Sequence, residues 1–238
     1  MNIPPVLWSD THLLVVDKPS GLATLPDGWE PDMPFLRGLL EADFGRLWVV
    51  HRLDRETSGV IILARSAQAH RALNLQFEQR QVSKIYHALL LGDPAWDTQN
   101  LAMPLRVNVG RGHRTVIDHR NGKNSLTDIN ILKRLGMFAL VEALPHTGRT
   151  HQIRAHLAAV GHPIAGDPLY GYNEKATRKT SGKRPTLVSA DTITFTRTML
   201  HAISISFLHP LTGQLLRVDA PYPPDFLENM EKVLATLH

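Results

Sequence analysis

Short runs of apolar, β-branched residues recur along the chain, and several are bounded by Gly, Pro or Ser. Runs of this kind are typical of β-strands in a packed sheet. Stretches with helical spacing separate some of the runs and no internal repeat is visible, so the pattern indicates an α+β chain. The predicted strands are residues 12–16, 59–63, 85–91, 127–132, 138–144, 202–208 and 215–218.

Two segments have the spacing of amphipathic helices that lie with one face on a sheet. Residues 67–80 place Ala69, Leu73 and Phe77 on the same helical face. A second amphipathic helix is predicted from Pro224 onwards. We expect both helices to flank the sheet.

Residues 148–160 form a third predicted helix, which we expect Thr147 to cap at its N-terminus. At about 100° per residue, Ile153 and Leu157 fall on one apolar stripe. Arg154 lies beside this stripe, so its guanidinium is expected to reach a half-buried cleft without entering the core.

Composition limits the class of protein. Hydrophobic residues make up 43% and charged residues 20% of the 238, which is ordinary globular usage, and we expect one domain over residues 1–238. There is neither an apolar run of about 20 residues nor a signal peptide, so we expect a cytoplasmic protein with no membrane partner. The absence of cysteine excludes disulfides, thiolate metal sites and cysteine nucleophiles.

Positive charge is clustered along the chain. The 26 Lys and Arg residues outnumber the 22 acidic residues only slightly, for a net charge of +4, so the clusters are more informative than the total. Residues 106–123 and 174–184 are basic, and we place the second stretch in a surface insertion at residues 173–199. A solvated loop explains either stretch equally well.

The polar sequence HRLDRETSG, at residues 51–59, lies between the apolar runs LWVV and GVIILA. Loops held by rigid strands often display reactive groups, which makes Asp54 a candidate catalytic carboxylate. From spacing alone, a charged surface turn with Asp54 paired to Arg52 or Arg55 is the better explanation, and such pairs contribute little energy.

Five segments in order, covering nearly the whole chain, resemble the signature of RluA-type pseudouridine synthases. They are DKPSGL (17–22), HRLDRETSG (51–59), KIYHA (84–88), TGRTHQIRAHL with GHPIAGD and YG (147–171), and LHA with FLHP (200–210). The resemblance implies an α+β fold with one long, mixed, mostly antiparallel sheet, flanking helices and a central active-site cleft. Because DKPSGL comes almost at the start, we expect no S4-like RNA-binding module.

The resemblance also assigns roles. It implies that Asp54 is the catalytic aspartate, that Tyr86 lines the pocket beneath the uracil, and that Arg154 pairs with Asp54. Arg52 is similar to the arginine that helps to displace the target base. Further candidates for substrate binding come from the same motifs: His51, Arg149, His151 and Gln152.

These roles fit the implied reaction. Pseudouridine formation breaks the bond from C1′ to uracil N1 and rejoins the base through C5, so no atom is gained or lost and we expect no cofactor and no metal. Asp54 must be ionised, whether it attacks C1′ or removes the C2′ proton, and both routes stay open. Tyr86 offers a flat face for a flipped base and a hydroxyl that can relay a proton. Without the resemblance, a core aromatic is the more ordinary explanation of Tyr86.

Other enzyme classes fit less well. His146, His151, His156 and His162 suggest a metal site, but His151 and His156 are five residues apart and lie on different helical faces. HRLD lacks the residue order of a kinase catalytic loop, and no DFG follows. Gly110-Arg111-Gly112 is too short for a dinucleotide-binding loop.

The remaining alternative is an RNA chaperone or ribosome-assembly factor with incidental catalysis, because basic surfaces fit either function. A pure binding protein has no need for Asp54, Tyr86 and Arg154 together, so their joint presence favours the enzyme. We expect a monomer whose partner is RNA. Whether the substrate is rRNA, tRNA or both stays open.

Overall fold

The computed structural model describes residues 3–26, 32–110, 112–171 and 193–237. The chain divides into two compact units, each assembled from three separate stretches. Unit 1 comprises Met1–His87, Glu142–Gly148 and Leu200–Pro223, and unit 2 comprises Ala88–Val141, Arg149–Met199 and Pro224–His238. The stretches alternate along the chain, so no single linker separates the units, and the expectation of one domain stays a prediction.

The described residues form strands and helices in alternating groups. The strands are β1 (Val6–Ser9), β2 (Leu13–Lys18), β3 (Trp48–Val49), β4 (Ser58–Ala64), β5 (Ser83–Leu91), β6 (Thr98–Leu101), β7 (Leu105–Val109), β8 (Arg114–Ile117), β9 (Thr127–Leu135), β10 (Phe138–Pro145), β11 (Leu200–Leu208) and β12 (Leu215–Asp219). The helices are α1 (Leu36–Phe44), α2 (Ala67–Glu78), α3 (Gln152–Ala159) and α4 (Pro224–Ala235). In the described ranges, no helix has the length and apolar character needed to cross a bilayer.

The sheet of unit 1 has the strand order β1-β2-β4-β11-β5-β10, with β3 on β4 and β12 on β11. β4 pairs antiparallel with β2 and parallel with β11. In unit 2 the order is β5-β10-β9-β6, since β5 and β10 have residues in both units, and β7 and β8 form a separate hairpin. The expectation of a large mixed sheet with flanking helices is confirmed, while the central cleft stays a prediction.

The core of unit 1 surrounds two strands whose consecutive residues are all buried. Residues 13–16 of β2 and 60–63 of β4 expose almost no surface. A strand buried on both faces has a continuous apolar run instead of an alternating pattern. The two helices of this unit contribute buried apolar side chains to the same core: Leu36 and Leu40 from α1, and Ala69 and Leu73 from α2.

The helices of unit 1 differ in how clearly their sequences mark them. α2 agrees with its prediction and begins after Ser66, whose hydroxyl accepts a hydrogen bond of 3.2 Å from the Ala69 N–H. α1 has no equivalent among the predicted helices. Its N-cap is Phe35, which makes no side-chain capping bond, and its first turn contains Gly38. Neither residue is a sequence signal for a helix start.

α3 is shorter than predicted and more deeply buried. Thr147 is not its N-cap, because the helix begins at Gln152 after His151, which has a left-handed φ of 53° and no capping side-chain bond. Every residue from Gln152 to Leu157 is buried. The placement of Arg154 at the border of the core is therefore wrong, since only 4% of the residue is exposed.

Most of the basic insertion expected at residues 173–199 lies outside the described residues, which exclude 172–192. Its last part does not lie on the surface. Arg197 is buried and donates a hydrogen bond of 3.0 Å to Asp225, and the N–H of Met199 donates to the carbonyl of Ala165 at 2.9 Å. The chain is therefore part of the packed structure from Arg197 onwards, where it leads into β11.

A polar contact within unit 1 joins residues that are 199 positions apart in the chain. Asp10 accepts hydrogen bonds from the N–H groups of His12 and Leu13 at 2.6 and 2.7 Å, and from His209 Nε2 at 2.9 Å. Burial alone would raise the pKa of Asp10, but these hydrogen bonds outweigh it and lower the pKa. Asp10 thus fastens the β1–β2 turn to the predicted turn at HPLTGQ, residues 209–214.

Asp10→Asn should lower the free energy of unfolding by about 1–2 kcal/mol at pH 7, because it removes charged hydrogen bonds that solvent partly screens. A lowered pKa gives stability that is present above the unfolded value of about 3.9 and is lost as pH falls. Urea unfolding should therefore show the difference from wild type shrinking below about pH 4. The exposed control Asp32→Asn should change stability by less than about 0.5 kcal/mol. A difference that stays constant down to pH 3 would contradict this role of the Asp10 charge.

Candidate active site

The polar sequence between β3 and β4 is an irregular loop in unit 1. Asp54 lies in its middle, half-buried, and its carbonyl accepts a hydrogen bond of 3.1 Å from the N–H of Thr57. The fold thereby turns the chain sharply just after Asp54. Arg52 lies on the same loop and is exposed, so the loop presents a carboxylate and a guanidinium close together in sequence.

A buried lysine holds this loop from one side. The ammonium of Lys18 is excluded from solvent and donates hydrogen bonds to the carbonyls of Pro19 at 2.9 Å, Leu22 at 2.8 Å and Arg55 at 3.3 Å. A buried charge is costly unless it finds acceptors of this kind. Lys18 therefore connects the segment of Pro19 and Leu22 to the loop, at the carbonyl of Arg55, the residue that follows Asp54.

Two hydroxyl groups fasten the same loop. Thr24 Oγ1 donates to the carbonyl of Leu53 at 2.9 Å and accepts from the N–H of Leu53 at 3.3 Å. Ser20 Oγ donates to the carbonyl of Glu56 at 2.8 Å. Because Leu53 immediately precedes Asp54, Thr24 fixes the peptide groups from which the carboxylate projects. We call Lys18, Ser20 and Thr24 the loop clamp.

The loop ends where β4 meets β11. Gly59 has a φ of +113°, and a Cβ there would lie 2.2 Å from the carbonyl oxygen of Ala202, so only glycine fits. The preceding Ser58 makes a buried hydrogen bond of 2.8 Å with His201 Nδ1. The Ser-Gly pair of the motif is thus explained by the close parallel approach of two strands.

His51 is placed in the scaffold of the loop. Its Nε2 accepts a hydrogen bond of 3.0 Å from the N–H of Ile62, and its ring stacks on Phe77 with centroids 4.8 Å apart. Burial, with a smaller contribution from the charge of Lys84, lowers the pKa of His51 to about 3. These contacts keep the imidazole neutral and favour a structural role, and its expected role in substrate binding stays a prediction.

Tyr86 lies on β5 close to Asp54. Its hydroxyl has a pKa well above the usual value, because burial disfavours the phenolate and the nearby Asp54 carboxylate repels it. The phenol of Tyr86 therefore keeps its proton at physiological pH. Unit 1 thus brings together the two residues predicted as carboxylate and aromatic platform, which are 32 positions apart in the chain.

Arg154 has a partner that the sequence analysis does not name. In unit 2 its Nε and Nη2 donate to the two oxygens of Asp167 at 2.7 and 2.9 Å, with both side chains buried. Its guanidinium also lies 5.1 Å from the ring centroid of Tyr170. Burial alone would raise the pKa of Asp167, but Arg154 more than offsets this and lowers it. The expected pairing of Arg154 with Asp54 concerns residues of different units and stays a prediction.

The residues at the start of α3 contact one another as well as the rest of unit 2. Gln152 donates to the Leu126 carbonyl and to Thr127 Oγ1, both at 2.9 Å, and its Oε1 accepts from the Arg149 N–H at 3.1 Å. His151 Nδ1 lies 3.1 Å from the Tyr170 hydroxyl. The Nε of Arg149 is buried without a hydrogen-bond partner in the described part of the chain. Arg149, His151 and Gln152 are the three residues expected to bind substrate here. Gln152 makes the most hydrogen bonds within the protein, and the substrate-binding role of all three stays a prediction.

The basic stretch 106–123 includes the β7–β8 hairpin. Arg106 forms an ion pair of 3.1 Å with Asp118, and Arg114 lies 5.9 Å from the ring centroid of Tyr170. Arg120 is exposed, and Arg111 lies outside the described residues. The stretch therefore combines exposed cations with cations that are already paired within the unit.

The histidines considered as metal ligands have other roles. His156 is buried, with Nδ1 3.0 Å from Thr127 Oγ1 and Nε2 3.0 Å from the Met103 carbonyl. His162 Nδ1 lies 3.2 Å from the Leu91 carbonyl. Within residues 3–26, 32–110, 112–171 and 193–237, no group of three or more His, Asp or Glu side chains has a geometry that could hold a metal ion.

The model of a family described as RNA pseudouridylate synthase matches residues 12–159, which include Asp54, Tyr86 and Arg154. The chain belongs to this family. The predicted RluA-type membership is confirmed, and so is the predicted enzyme class, an isomerase acting on RNA.

Relatives and a solved structure support the assignment to the RNA pseudouridylate synthase family. Ribosomal large subunit pseudouridine synthase D of Xanthomonas campestris pv. campestris is 39% identical over 225 residues, 92% of this chain and 66% of its own length. Ribosomal large subunit pseudouridine synthase C of Escherichia coli K12 is 35% identical over 234 residues, 96% of this chain and 69% of its own. The chain thus spans about two thirds of the length of these relatives. The human RNA pseudouridylate synthase domain containing 1 has a TM-score of 0.72 at 28% identity, covering 94% of this chain and 86% of that one, which confirms the predicted fold.

Two functional features were missed because they join residues that are distant in the sequence. Asp167 lies in the run GHPIAGD, but no spacing rule connects it with a guanidinium 13 positions earlier. The loop clamp lies in and beside DKPSGL, and its target is more than 25 positions away. A signal exists only in the residue types, since a Lys and two hydroxyl residues so close to a glycine suggest bonds to backbone.

Thr24→Val should lower the turnover of uridine isomerisation about 10- to 100-fold, because the variant keeps the shape but releases both polar atoms of Leu53 beside Asp54. The free energy of unfolding should fall by only about 1–2 kcal/mol. Single-turnover rates at saturating enzyme, together with RNA affinity, separate turnover from binding. The control Thr98→Val, on an exposed position of β6, should leave the rate unchanged. A loss of affinity with an unchanged rate would contradict the positioning role of Thr24.

Asp167→Asn should lower the free energy of unfolding by about 3–5 kcal/mol, because it removes the buried carboxylate charge that the Arg154 guanidinium binds through two hydrogen bonds. Asp225→Asn is the matched control, since its partner Arg197 is also buried but the Asp225 side chain is 46% exposed. That control should lose only about 1 kcal/mol. Urea unfolding of both variants at pH 7 makes the comparison. Equal losses would show that burial of the carboxylate does not decide the contribution of these pairs.

Proposed function

We propose that this chain isomerises uridines of large-subunit ribosomal RNA to pseudouridine. The observation that carries the proposal is the Asp54 carboxylate beside the buried hydroxyl of Tyr86, on a loop fixed by the clamp. The relatives named as ribosomal large subunit pseudouridine synthases support this choice of RNA over tRNA. A cytoplasmic location and a monomeric state belong to the same proposal.

In this proposal Asp54 acts on the ribose while Tyr86 holds the base. The ionised carboxylate either attacks C1′ or removes the C2′ proton, and in both cases the bond from C1′ to N1 breaks and the electron pair leaves with the uracil. The base turns on the face of Tyr86 and bonds again to C1′ through C5. In the first route this displaces the Asp54 oxygen from C1′, and in the second route Asp54 returns the proton to C2′. The proton lost from C5 and the proton gained at N1 balance. Since the phenol of Tyr86 is neutral, it can relay a proton only by giving up its own as it accepts another.

Arg154 would fix the ionised state of Asp54. A guanidinium has two edges suited to carboxylates, and the Nε–Nη2 edge of Arg154 binds Asp167. That buried pair holds the guanidinium rigidly on α3, which supports a role in orienting a second carboxylate. An adjacent guanidinium would favour the charged form of Asp54, as either route requires.

The RNA contacts would come from exposed cations. Arg52, next to the clamped part of the loop, would help to displace the target base, and Arg120 after the β7–β8 hairpin would bind phosphates. Extruding a base costs a few kcal/mol of stacking, which such contacts offset. Arg149, whose Nε is buried without a partner in the described chain, is a further donor for the RNA.

The alternative function, an RNA chaperone with incidental catalysis, predicts a different result for one variant. Asp54→Asn keeps the shape of the side chain and removes its charge, so it should abolish isomerisation, a loss of about 10⁴-fold or more, and leave RNA affinity nearly unchanged. Tritium release from RNA labelled at uridine C5 measures the reaction on large-subunit rRNA and on bulk tRNA. The exposed control Asp32→Asn should retain the wild-type rate. Tight binding without tritium release by the wild type on either RNA would favour the chaperone.

A further inference from the structure

Lys84 lies on β5 two residues before Tyr86. Side chains at i and i+2 of a strand lie on the same face of the sheet, so Lys84 shares the face on which Tyr86 meets Asp54. Its Nζ is 3.9 Å from the position that a Cβ would occupy on the exposed Gly148. It also lies close enough to His51 to affect that imidazole. Lys84 is therefore at the edge of the group formed by the loop and Tyr86.

The ammonium of Lys84 has no hydrogen bond and no ion pair in the described part of unit 1. The contrast with Lys18 is direct, because that buried lysine has three carbonyl acceptors. Burial lowers the pKa of Lys84 to about 8, so most of the group still carries its charge at neutral pH. His51 offers no compensation, since its neutral ring has no negative charge. A largely enclosed cation without a counterion destabilises the fold, which is characteristic of groups kept for a ligand.

A phosphate is the ligand that best matches this ammonium. The uracil is neutral before the glycosidic bond breaks, whereas every nucleotide is flanked by phosphates with a full negative charge. Lysine binds phosphate as a compact point charge and needs no fixed fork geometry. Gly148 has no side chain that could cover Nζ, so the ammonium stays open to a ligand on that side.

We propose that Lys84 binds a phosphate of the flipped target nucleotide, and so holds the sugar over Asp54 while the base lies on Tyr86. The inference rests on the proposed function for the identity of the nucleotide. Lys84 is then a substrate-positioning residue on the strand of the aromatic platform, with no part in bond breaking.

The test measures RNA affinity against salt for the full chain, without turnover. The probe is a stem-loop of large-subunit rRNA that contains the modified uridine. Lys84→Met should weaken binding about tenfold at 0.1 M salt, and the slope of log affinity against log salt should become smaller by about 0.7–1. Lys84→Arg keeps the charge and should restore the slope. Lys232→Met, on the exposed face of the acidic helix α4, is the charge-matched control and should change neither quantity.

A second probe locates the phosphate. When a neutral methylphosphonate replaces one phosphate beside the target uridine, the effect of Lys84→Met on affinity should disappear for that RNA, because both changes remove the same contact. An unchanged salt slope with a lower single-turnover rate would mean that Lys84 acts on the base and would overturn the proposal. A lower melting temperature with unchanged affinity would show a structural role and would also overturn it. Since the affinity and the salt slope need no catalysis, failure of the tritium assay and failure of this proposal are distinguishable.

Discussion

The ammonium of Lys18 has no contact with solvent and is bound by three backbone carbonyls, one of them in the loop that bears Asp54. Removing a charge from water costs several kcal/mol, so these bonds must form together for unit 1 to fold. Thr24 and Ser20 act from the same segment on the residues around Asp54. The hydrogen bonds of Lys18, Thr24 and Ser20 thus fix the position of the Asp54 backbone. Because these bonds hold the loop, it keeps its shape without regular secondary structure.

The far end of the loop and the strand of Tyr86 are connected through a second set of contacts. The parallel approach of β11 requires Gly59, and the neighbouring Ser58 bonds to His201. The ring of Tyr222 lies 5.7 Å from the rings of His201 and His87, and its hydroxyl bonds to His87. Because His87 directly follows Tyr86, this series of packed rings aligns the platform with the loop. Substitutions here would act on catalysis through position, without a contact to RNA.

Buried cations fall into two kinds. Lys18 binds three carbonyls and Arg154 binds both oxygens of Asp167, so each holds a segment of backbone or a helix in place. Lys84 lies on the face of Tyr86 with no counterion in unit 1, and Arg149 keeps a buried Nε without a hydrogen bond in the described chain. The substrate of an RNA pseudouridylate synthase carries one negative charge for each nucleotide. Under our proposals, phosphates of the RNA supply the negative charge that Lys84 and Arg149 do not find within the protein.

The sequence by itself determined the strands around the core, the helix α2 and the family. A continuous apolar run such as residues 60–63 indicates a buried strand whatever packs against it. Five ordered motifs indicate the family, and within it they predict Asp54 and Tyr86 as site residues. It did not mark α1, because Phe35 and Gly38 send no local signal, and it placed the start of α3 and the exposure of Arg154 wrongly. Only the tertiary structure decided that Arg154 pairs with Asp167, that the His51 ring packs on Phe77, and that Lys84 has no counterion among the described residues of unit 1. Whether a polar side chain finds a hydrogen-bond or charge partner depends on residues that are distant in sequence and near in space. A local sequence pattern does not show which distant residues the fold brings near.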